Sequence, residues 1–122
     1  MAKILVADDD ITSRKLIAKA IEGMGHSCVG ASDGKRAMDI LQDNADIALL
    51  VTDIMMPEMD GRVLVQAIRG NSALKDLPIV LISGVISLKE INGLLNLGVS
   101  RFLPKPVVIE ELKGYISQLV KE

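Results

Sequence analysis

Six polar residues, spread over the whole chain, have the side-chain types that phosphoryl transfer requires. They are Asp8, Asp9, Asp10, Asp53, Ser83 and Lys105. Neighbouring carboxylates resist ionising together, and a hard cation such as Mg²⁺ relieves this while leaving positions open for phosphate oxygens. A carboxylate is also a nucleophile that can form an acyl phosphate. An ammonium group and a hydroxyl donor nearby stabilise the phosphoryl group during transfer.

Each of these residues stands at or just beyond the end of a short apolar run. The runs cover residues 4–7, 28–31, 47–51, 79–82 and 102–103, and such runs are typical of buried parallel strands. Segments with helical periodicity separate them, at residues 11–24, 35–42, 63–68, 88–97 and 109–120. The pattern is a fivefold strand–helix alternation.

This alternation predicts an α/β fold, (βα)5, with a doubly wound parallel sheet and helices on both faces, because strand–helix–strand crossovers are almost always right-handed. Sheets of this kind bind ligands outside the carboxyl ends of their strands. We therefore expect the acidic residues, the hydroxyl and the ammonium group to meet at that edge. There Asp8, Asp9 and Asp53 would form a site for Mg²⁺.

Composition narrows the class of protein. The 122 residues suit one domain, and 49% hydrophobic with 25% charged residues indicate a packed core instead of a disordered chain. A net charge of −2 and the lack of a basic tract argue against nucleic acid or an anionic membrane as partner. The sequence contains no signal-peptide pattern or long apolar segment, and its one cysteine, Cys28, is expected to pack as a small apolar group. We expect a cytoplasmic protein.

Four segments carry a resemblance that covers nearly the whole chain. They are residues 4–10 (ILVADDD), 51–61 (VTDIMMPEMDG), 82–84 (ISG) and 102–106 (FLPKP). In order and spacing they resemble the receiver domain of two-component response regulators, especially the single-domain chemotaxis regulators. The part from 53 to 61 is highly specific. The resemblance implies a phosphorelay signalling protein with Mg²⁺ as cofactor.

The resemblance also implies a role for each matching residue of the acidic pocket. Asp53 would be the phosphoacceptor. Asp9 would bind Mg²⁺ directly, and Asp8 would act partly through water. Met55 would contribute its backbone carbonyl to the metal.

The remaining matched residues would respond to the phosphoryl group. Ser83 would donate a hydrogen bond to one phosphoryl oxygen, and Lys105 would pair with another. Phe102 would be the ring that repacks, and the peptide bond between Lys105 and Pro106 would be cis. Ser83 stands where the family more often has Thr, Gly84 where Ala is common, and Phe102 where Tyr is frequent. We expect these departures to alter how tightly switching is coupled to phosphorylation.

Other residues have structural interpretations. Asp10 is expected to cap the helix that follows it, and Ile11 and Leu16 to lie on the apolar face of that helix. Met56 is expected in an exposed loop. Gly93 falls inside the fourth predicted helix, where glycine costs about 1 kcal/mol relative to alanine. We expect this helix, which belongs to the output face in receivers, to be easily shifted.

Two alternative functions remain open. The pattern Asp8-x-Asp10-x-Thr12 resembles the first motif of haloacid-dehalogenase-type phosphatases, with Asp8 as nucleophile and Asp10 as acid/base. That family needs a further acidic pair, and only Glu110 and Glu111 follow here, inside a predicted helix. The second alternative is a receiver-like binding module that takes up no phosphate, although this chain retains every acidic residue that phosphorylation needs.

We therefore expect a single receiver domain over residues 1–122, with the flavodoxin-like strand order 2-1-3-4-5 and no attached output domain. It would accept a phosphoryl group on Asp53 from the phosphohistidine of a histidine kinase or a histidine phosphotransfer protein. The face formed by the fourth helix, fifth strand and fifth helix would then act on a downstream protein target in trans. The protein would be a monomer or weak homodimer. It would promote its own phosphorylation and dephosphorylation without turning over a separate substrate.

Overall fold

Five strands and five helices alternate along the chain in the computed structural model, which describes residues 1–84 and 87–120. The strands are β1 (Lys3–Ala7), β2 (Ser27–Ala31), β3 (Ile47–Asp53), β4 (Ile79–Ser83) and β5 (Arg101–Pro104). The helices are α1 (Ile11–Gly23), α2 (Gly34–Asp43), α3 (Gly61–Arg69), α4 (Leu88–Asn96) and α5 (Ile109–Leu119). Every predicted element is present, and the differences are confined to element ends.

The strands form one parallel sheet in the order β2-β1-β3-β4-β5, so the predicted fold and strand order are confirmed. In the ladders, Ala7 of β1 lies opposite Thr52 of β3, and Asp53 lies opposite Ile82 of β4. Because all strands run in one direction, their carboxyl ends open on a single edge of the sheet.

The two faces of the sheet bury separate hydrophobic clusters, as expected when successive strand residues point to opposite sides. Leu5 and Ala7 of β1 pack on the face covered by α2, α3 and α4. Ile4 and Val6 pack on the opposite face, against α1 and α5. The rigid sheet therefore fixes the positions of the loops at its carboxyl edge.

Side-chain caps begin four of the helices close to that edge. Asp10, Asp33, Asp60 and Ser87 each accept a hydrogen bond from a backbone N–H two or three residues ahead. The predicted cap at Asp10 is confirmed, with Oδ1 3.0 Å from the Thr12 nitrogen. This bond, followed by the one from the Ser13 hydroxyl, lowers the pKa of the Asp10 carboxyl.

Two packing predictions are wrong. Ile11 and Leu16 are 53% and 52% exposed, because Ile17 and Ile21 form the buried stripe of α1. Ile11 occupies the first position of the helix, beyond the end of the strand that α1 covers. Met56 is buried in the core, because the loop after β3 turns back and places its sulfur 4.0 Å from the Thr52 hydroxyl oxygen.

Cys28 is half-buried against the cluster beneath α1 and α5, as predicted for a small apolar group. Burial, with a smaller contribution from the charge of Glu22, raises the pKa of its thiol to about 11. In residues 1–84 and 87–120, no helix combines the length and apolar character that crossing a membrane would require.

Candidate functional site

Three carboxylates meet at the carboxyl edge of the central strands. Asp53 is the last residue of β3, while Asp8 and Asp9 directly follow β1, which is the neighbouring strand. Carboxylate oxygens of these three residues all lie within 4.8 Å of one another. Asp8 and Asp53 are only 1% and 5% exposed, whereas Asp9 is open to solvent. The result is an acidic pocket with a buried floor and one open side.

Asp8 is held in place at both carboxylate oxygens and at its backbone. Oδ1 accepts a hydrogen bond from the Asp10 N–H at 2.9 Å, and Oδ2 lies 3.7 Å from the Lys105 ammonium nitrogen. The backbone N–H of Asp8 donates to the carbonyl of Ala31 in β2. Burial is the main cause of a raised pKa for this carboxyl. The charges of Asp53 and Asp9 add to the increase, which outweighs the lowering by the Asp10 bond and Lys105.

The two oxygens of Asp53 have different surroundings. Oδ1 accepts hydrogen bonds from the backbone N–H groups of Ile54, at 2.7 Å, and of Met55, at 3.3 Å. Oδ2 accepts a 2.5 Å charge-assisted bond from the Lys105 ammonium group. The backbone thus fixes one oxygen, while the other faces the cation at the end of a long side chain.

Lys105 is the residue directly after β5, and its side chain extends into this pocket. Its backbone N–H donates to the Ser83 carbonyl at 2.9 Å, and the Lys105–Pro106 peptide bond is cis. Burial by itself lowers the pKa of the ammonium group. The hydrogen bond and charge of Asp53, with the charge of Asp8, outweigh burial, so the net shift is upward.

Ser83 and Phe102 lie on β4 and β5, the two strands that follow β3 in the sheet. Ser83 ends β4, is buried, and follows directly after Ile82, which pairs with Asp53 across the ladder. Phe102 of β5 is half-buried and packs against the cluster on the α4 side of the sheet. Among the described residues, a Cβ at Gly84 would meet only the Lys105 Cβ, at an ordinary 3.8 Å.

The loop from β3 to α3 is shaped by close backbone approaches. The Gly61 N–H donates to the Ile54 carbonyl at 2.7 Å. A Cβ at Gly61 would lie 2.8 Å from the Ile54 Cα and closer still to the Asp53 carbonyl oxygen. Glu58 adopts a positive φ of 66°, an uncommon conformation for a residue with a side chain. The exposed Met55 sits on this loop, so the path of the loop decides where its backbone meets Asp53.

Two residues that support the pocket were missed by sequence reasoning. Arg14 of α1 donates from Nη1 to the Asp8 carbonyl at 2.7 Å. The buried Thr52 hydroxyl donates to the Asp53 carbonyl at 2.9 Å. The sequence does contain a signal for Arg14, because this residue lies one turn into α1 and α1 begins directly after the acidic residues. For Thr52 the sequence contains no comparable signal.

The structure therefore brings Asp8, Asp9, Asp53 and Lys105 into one pocket. Ser83 is buried at the end of the neighbouring strand β4, and Phe102 packs against the cluster on the α4 side of the sheet. An all-oxygen acidic cluster with an adjacent ammonium group suits a hard divalent cation and a transferable phosphoryl group.

Comparison with known proteins identifies the family that the four sequence segments resemble. Residues 4–117 match the family model of the response regulator receiver domain. The chain is 36% identical over 119 residues to a chemotaxis protein CheY homolog of Campylobacter jejuni, covering 97% of this chain and 92% of the relative. It is 37% identical over 112 residues to chemotaxis protein CheY1 of Helicobacter pylori, covering 91% and 90%. The solved structure of chemotaxis response regulator CheY4 of Vibrio cholerae superposes with a TM-score of 0.90 at 28% identity, covering 98% and 99%.

The chain belongs to the response regulator receiver domain family. It is a CheY-like receiver domain, consistent with two-component phosphorelay signalling. The two alternatives, a phosphatase and a receiver-like binding module that takes up no phosphate, are not favoured. Receiver domains bind Mg²⁺ at an acidic pocket and are generally not turnover enzymes.

Proposed function

We propose that Asp53 accepts a phosphoryl group from the phosphohistidine of a histidine kinase or a histidine phosphotransfer protein. The observation that carries this proposal is the setting of the Asp53 carboxylate. Backbone N–H groups orient Oδ1, while Oδ2 contacts the Lys105 ammonium group. Such a carboxylate is fixed in direction and has a cation beside it to follow the incoming charge.

The acidic pocket fits Mg²⁺ by its chemistry. Its donors are all carboxylate oxygens, and the raised pKa of Asp8 reflects burial together with repulsion from Asp53 and Asp9. Asp8, Asp9, Asp53 and the backbone carbonyl of Met55 would hold the ion. When bound, Mg²⁺ would neutralise part of the charge on the transferring phosphoryl group.

The transfer forms one bond and breaks one. A carboxylate oxygen of Asp53 attacks phosphorus, and the phosphorus–nitrogen bond breaks with its electron pair going to the imidazole of the donor histidine. Lys105 then pairs with one phosphoryl oxygen, and the Ser83 hydroxyl donates to another. Attack of water on phosphorus later restores the Asp53 carboxylate and releases inorganic phosphate. The domain thus promotes its own phosphorylation and dephosphorylation.

Movement of Ser83 and Lys105 toward the phosphoryl group would carry the signal to α4 and β5. Ser83 ends the strand that leads to α4, and Lys105 continues directly from β5, which contains Phe102. Of the side chains in α4, only Leu94 is buried. A helix anchored by so little apolar surface shifts at small cost. Repacking of Phe102 would accompany that shift.

Two arginines of α3 hold α4 in its present position. Arg62 forms a 2.8 Å ion pair with Glu90 in the first turn of α4. Arg69 donates to the carbonyl of Gly98, just beyond the other end of α4. A cavity of about 390 Å³ lies between the two helices, with Gly93 in its lining. These contacts would set the resting position from which phosphorylation moves the helix.

The moved face would bind a downstream protein target in trans. Exposed apolar side chains on α4 and at the start of α5 (Leu88, Leu95 and Val108) suit contact with a protein. We propose that residues 1–122 act as a single receiver domain, a monomer or weak homodimer in the cytoplasm, without nucleic acid or membrane as partner.

Incubation with a small phosphoryl donor, followed by intact mass measurement, tests the proposal. Acetyl phosphate and phosphoramidate, whose phosphorus–nitrogen bond resembles that of phosphohistidine, are suitable donors. We expect one phosphoryl group per chain, which disappears with a chelator and in Asp53→Asn. A gain retained in Asp53→Asn and lost in Asp8→Asn would instead support the phosphatase alternative. No gain from either donor, with Mg²⁺ bound, would contradict transfer from small donors.

A further inference from the structure

We infer that Arg14 is a positioning residue for the acidic pocket, and that it holds the peptide from which the Asp9 carboxylate projects. This inference rests on the proposed Mg²⁺ site. Arg14 is half-buried in the second turn of α1, and its Nη1 donates to the Asp8 carbonyl at 2.7 Å. A charged donor makes this bond stronger than an ordinary backbone bond.

The bond controls more than Asp8 itself. The carbonyl of Asp8 and the N–H of Asp9 belong to one planar peptide unit, so fixing the carbonyl fixes the start of Asp9. On the other side, the Asp8 N–H is already bound to the Ala31 carbonyl of β2. Arg14 therefore completes the restraint on the loop that follows β1. Asp9 is exposed and depends on this backbone restraint for its direction toward Asp53.

The arginine stem passes close to Gly30 of β2. A Cβ placed on Gly30 would lie 3.2 Å from the Arg14 Cδ and 3.4 Å from its Nε. Glycine at position 30 thus leaves the room through which the stem passes to reach Asp8. Alanine at this position would press on the stem without removing any charge, which gives a second way to disturb the same contact.

Electrostatics alone predicts the opposite effect of removing Arg14. A guanidinium near a dication repels it, so loss of the positive charge should tighten Mg²⁺ binding. Loss of a positioning contact should weaken it, because removal of outer partners of metal ligands typically costs about 10–100-fold in affinity. The direction of the change therefore separates the two roles.

Arg36 provides a matched control. Arg36 lines a cavity that Arg14 and Gly30 also line, but its side chain is 73% exposed and pairs with Asp33 instead of the Asp8 carbonyl. Arg36→Gln removes one positive charge from the same neighbourhood and leaves the Asp8 contact intact. It should leave Mg²⁺ affinity unchanged or slightly tighter.

The test is a Mg²⁺ titration of the whole chain, followed by amide chemical shifts in NMR spectra and by calorimetry, without any phosphoryl donor. We expect Arg14→Gln to bind Mg²⁺ about 10-fold or more weakly than the unaltered protein. Arg14→Lys, which keeps a donor for the same carbonyl, should recover part of that loss. Gly30→Ala should weaken binding in the same direction, and it replaces Arg14→Gln if that variant does not fold.

Equal or tighter Mg²⁺ binding by folded Arg14→Gln would overturn the positioning role. So would an equal loss in Arg36→Gln, since the effect would then follow net charge near the site. Absence of Mg²⁺ binding by the unaltered protein is a different result. It would contradict the proposed function itself, on which this inference depends.

Discussion

Replacement of Gly61 by alanine is a small chemical change that should disturb the acidic pocket. Gly61 is the first residue of α3, where replacement of glycine by alanine would normally favour the helix. The structure leaves no room for that methyl group. It would lie 2.8 Å from the Ile54 Cα and closer to the Asp53 carbonyl oxygen, and both are backbone atoms that cannot rotate away.

The expected cost follows from this geometry. The loop must move by roughly 0.6 Å or more to restore an ordinary contact, and overpacking of this kind typically costs about 1–3 kcal/mol. We therefore expect Gly61→Ala to lower the free energy of unfolding by about 2 kcal/mol. The same movement displaces Asp53 and Ile54, so Mg²⁺ affinity should fall as well.

Gly114 provides the matched control for the glycine-to-alanine exchange. It lies on the exposed side of α5, far in sequence from Asp8, Asp9 and Asp53, and a methyl group added there would have no atom of the described residues within 4 Å. Gly114→Ala should raise the free energy of unfolding by about 0.5–1 kcal/mol, because alanine is the better helix former. Its Mg²⁺ affinity should not change.

Urea unfolding followed by far-ultraviolet circular dichroism measures both variants. With a slope of about 2 kcal/mol per M, the midpoint of Gly61→Ala should fall by roughly 1 M and that of Gly114→Ala should rise slightly. A Gly61→Ala protein as stable as Gly114→Ala, with unaltered Mg²⁺ binding, would show that the loop yields freely. The geometry of this loop would then have no bearing on the site.

Three further predictions concern α4 and Cys28. In the described part of the chain, a methyl group at position 93 would have no atom within 4 Å, so Gly93→Ala should slow amide hydrogen exchange in α4. If α4 of the unaltered protein exchanges as slowly as α1, the expected softness of α4 is contradicted. Glu90→Gln breaks the half-exposed pair with Arg62, so unfolding stability should fall by only about 0.2–1 kcal/mol, with the difference vanishing at high salt in a urea titration. Burial raises the pKa of the Cys28 thiol in the folded protein to about 11, whereas the thiol of the unfolded chain has a pKa of about 8.5. The raised pKa of Cys28 therefore contributes stability that is complete below about pH 8.5 and lost as the pH rises through about 11. Cys28→Ala should lack this pH-dependent contribution when the two proteins are compared by urea titration across that range.

The fold and the meeting of the acidic residues followed from short-range patterns. Apolar runs separated by helical segments predicted the parallel sheet, and a parallel sheet puts the carboxyl ends of its strands on one edge. Asp8 and Asp53 are neighbours because β1 pairs with β3, a strand order that the family resemblance implies and that the alternation alone does not determine. The same reasoning placed Lys105 at this edge, next to the end of β4.

Tertiary packing decided what the sequence pattern did not predict. Ile11 is exposed because it begins α1 beyond the reach of the sheet, and hydrophobic periodicity alone does not predict this. Burial of Met56 depends on the return path of the loop, which Gly61 and the close approach of Gly34 to Met59 allow. The bond from Arg14 to the Asp8 carbonyl requires both α1 and β2 in place.

Locating the phosphoryl group within the chain tests the central claim most directly. Protein treated with acetyl phosphate and Mg²⁺ is reduced with borohydride, which converts a phosphorylated aspartate into homoserine, and then digested with trypsin. Cleavage after lysine and arginine separates Asp53, in peptide 37–62, from Asp8, in peptide 4–14. We predict homoserine at position 53 alone, and its absence when Mg²⁺ is chelated. Homoserine at position 8, with position 53 unchanged, would contradict the assignment of Asp53 as phosphoacceptor.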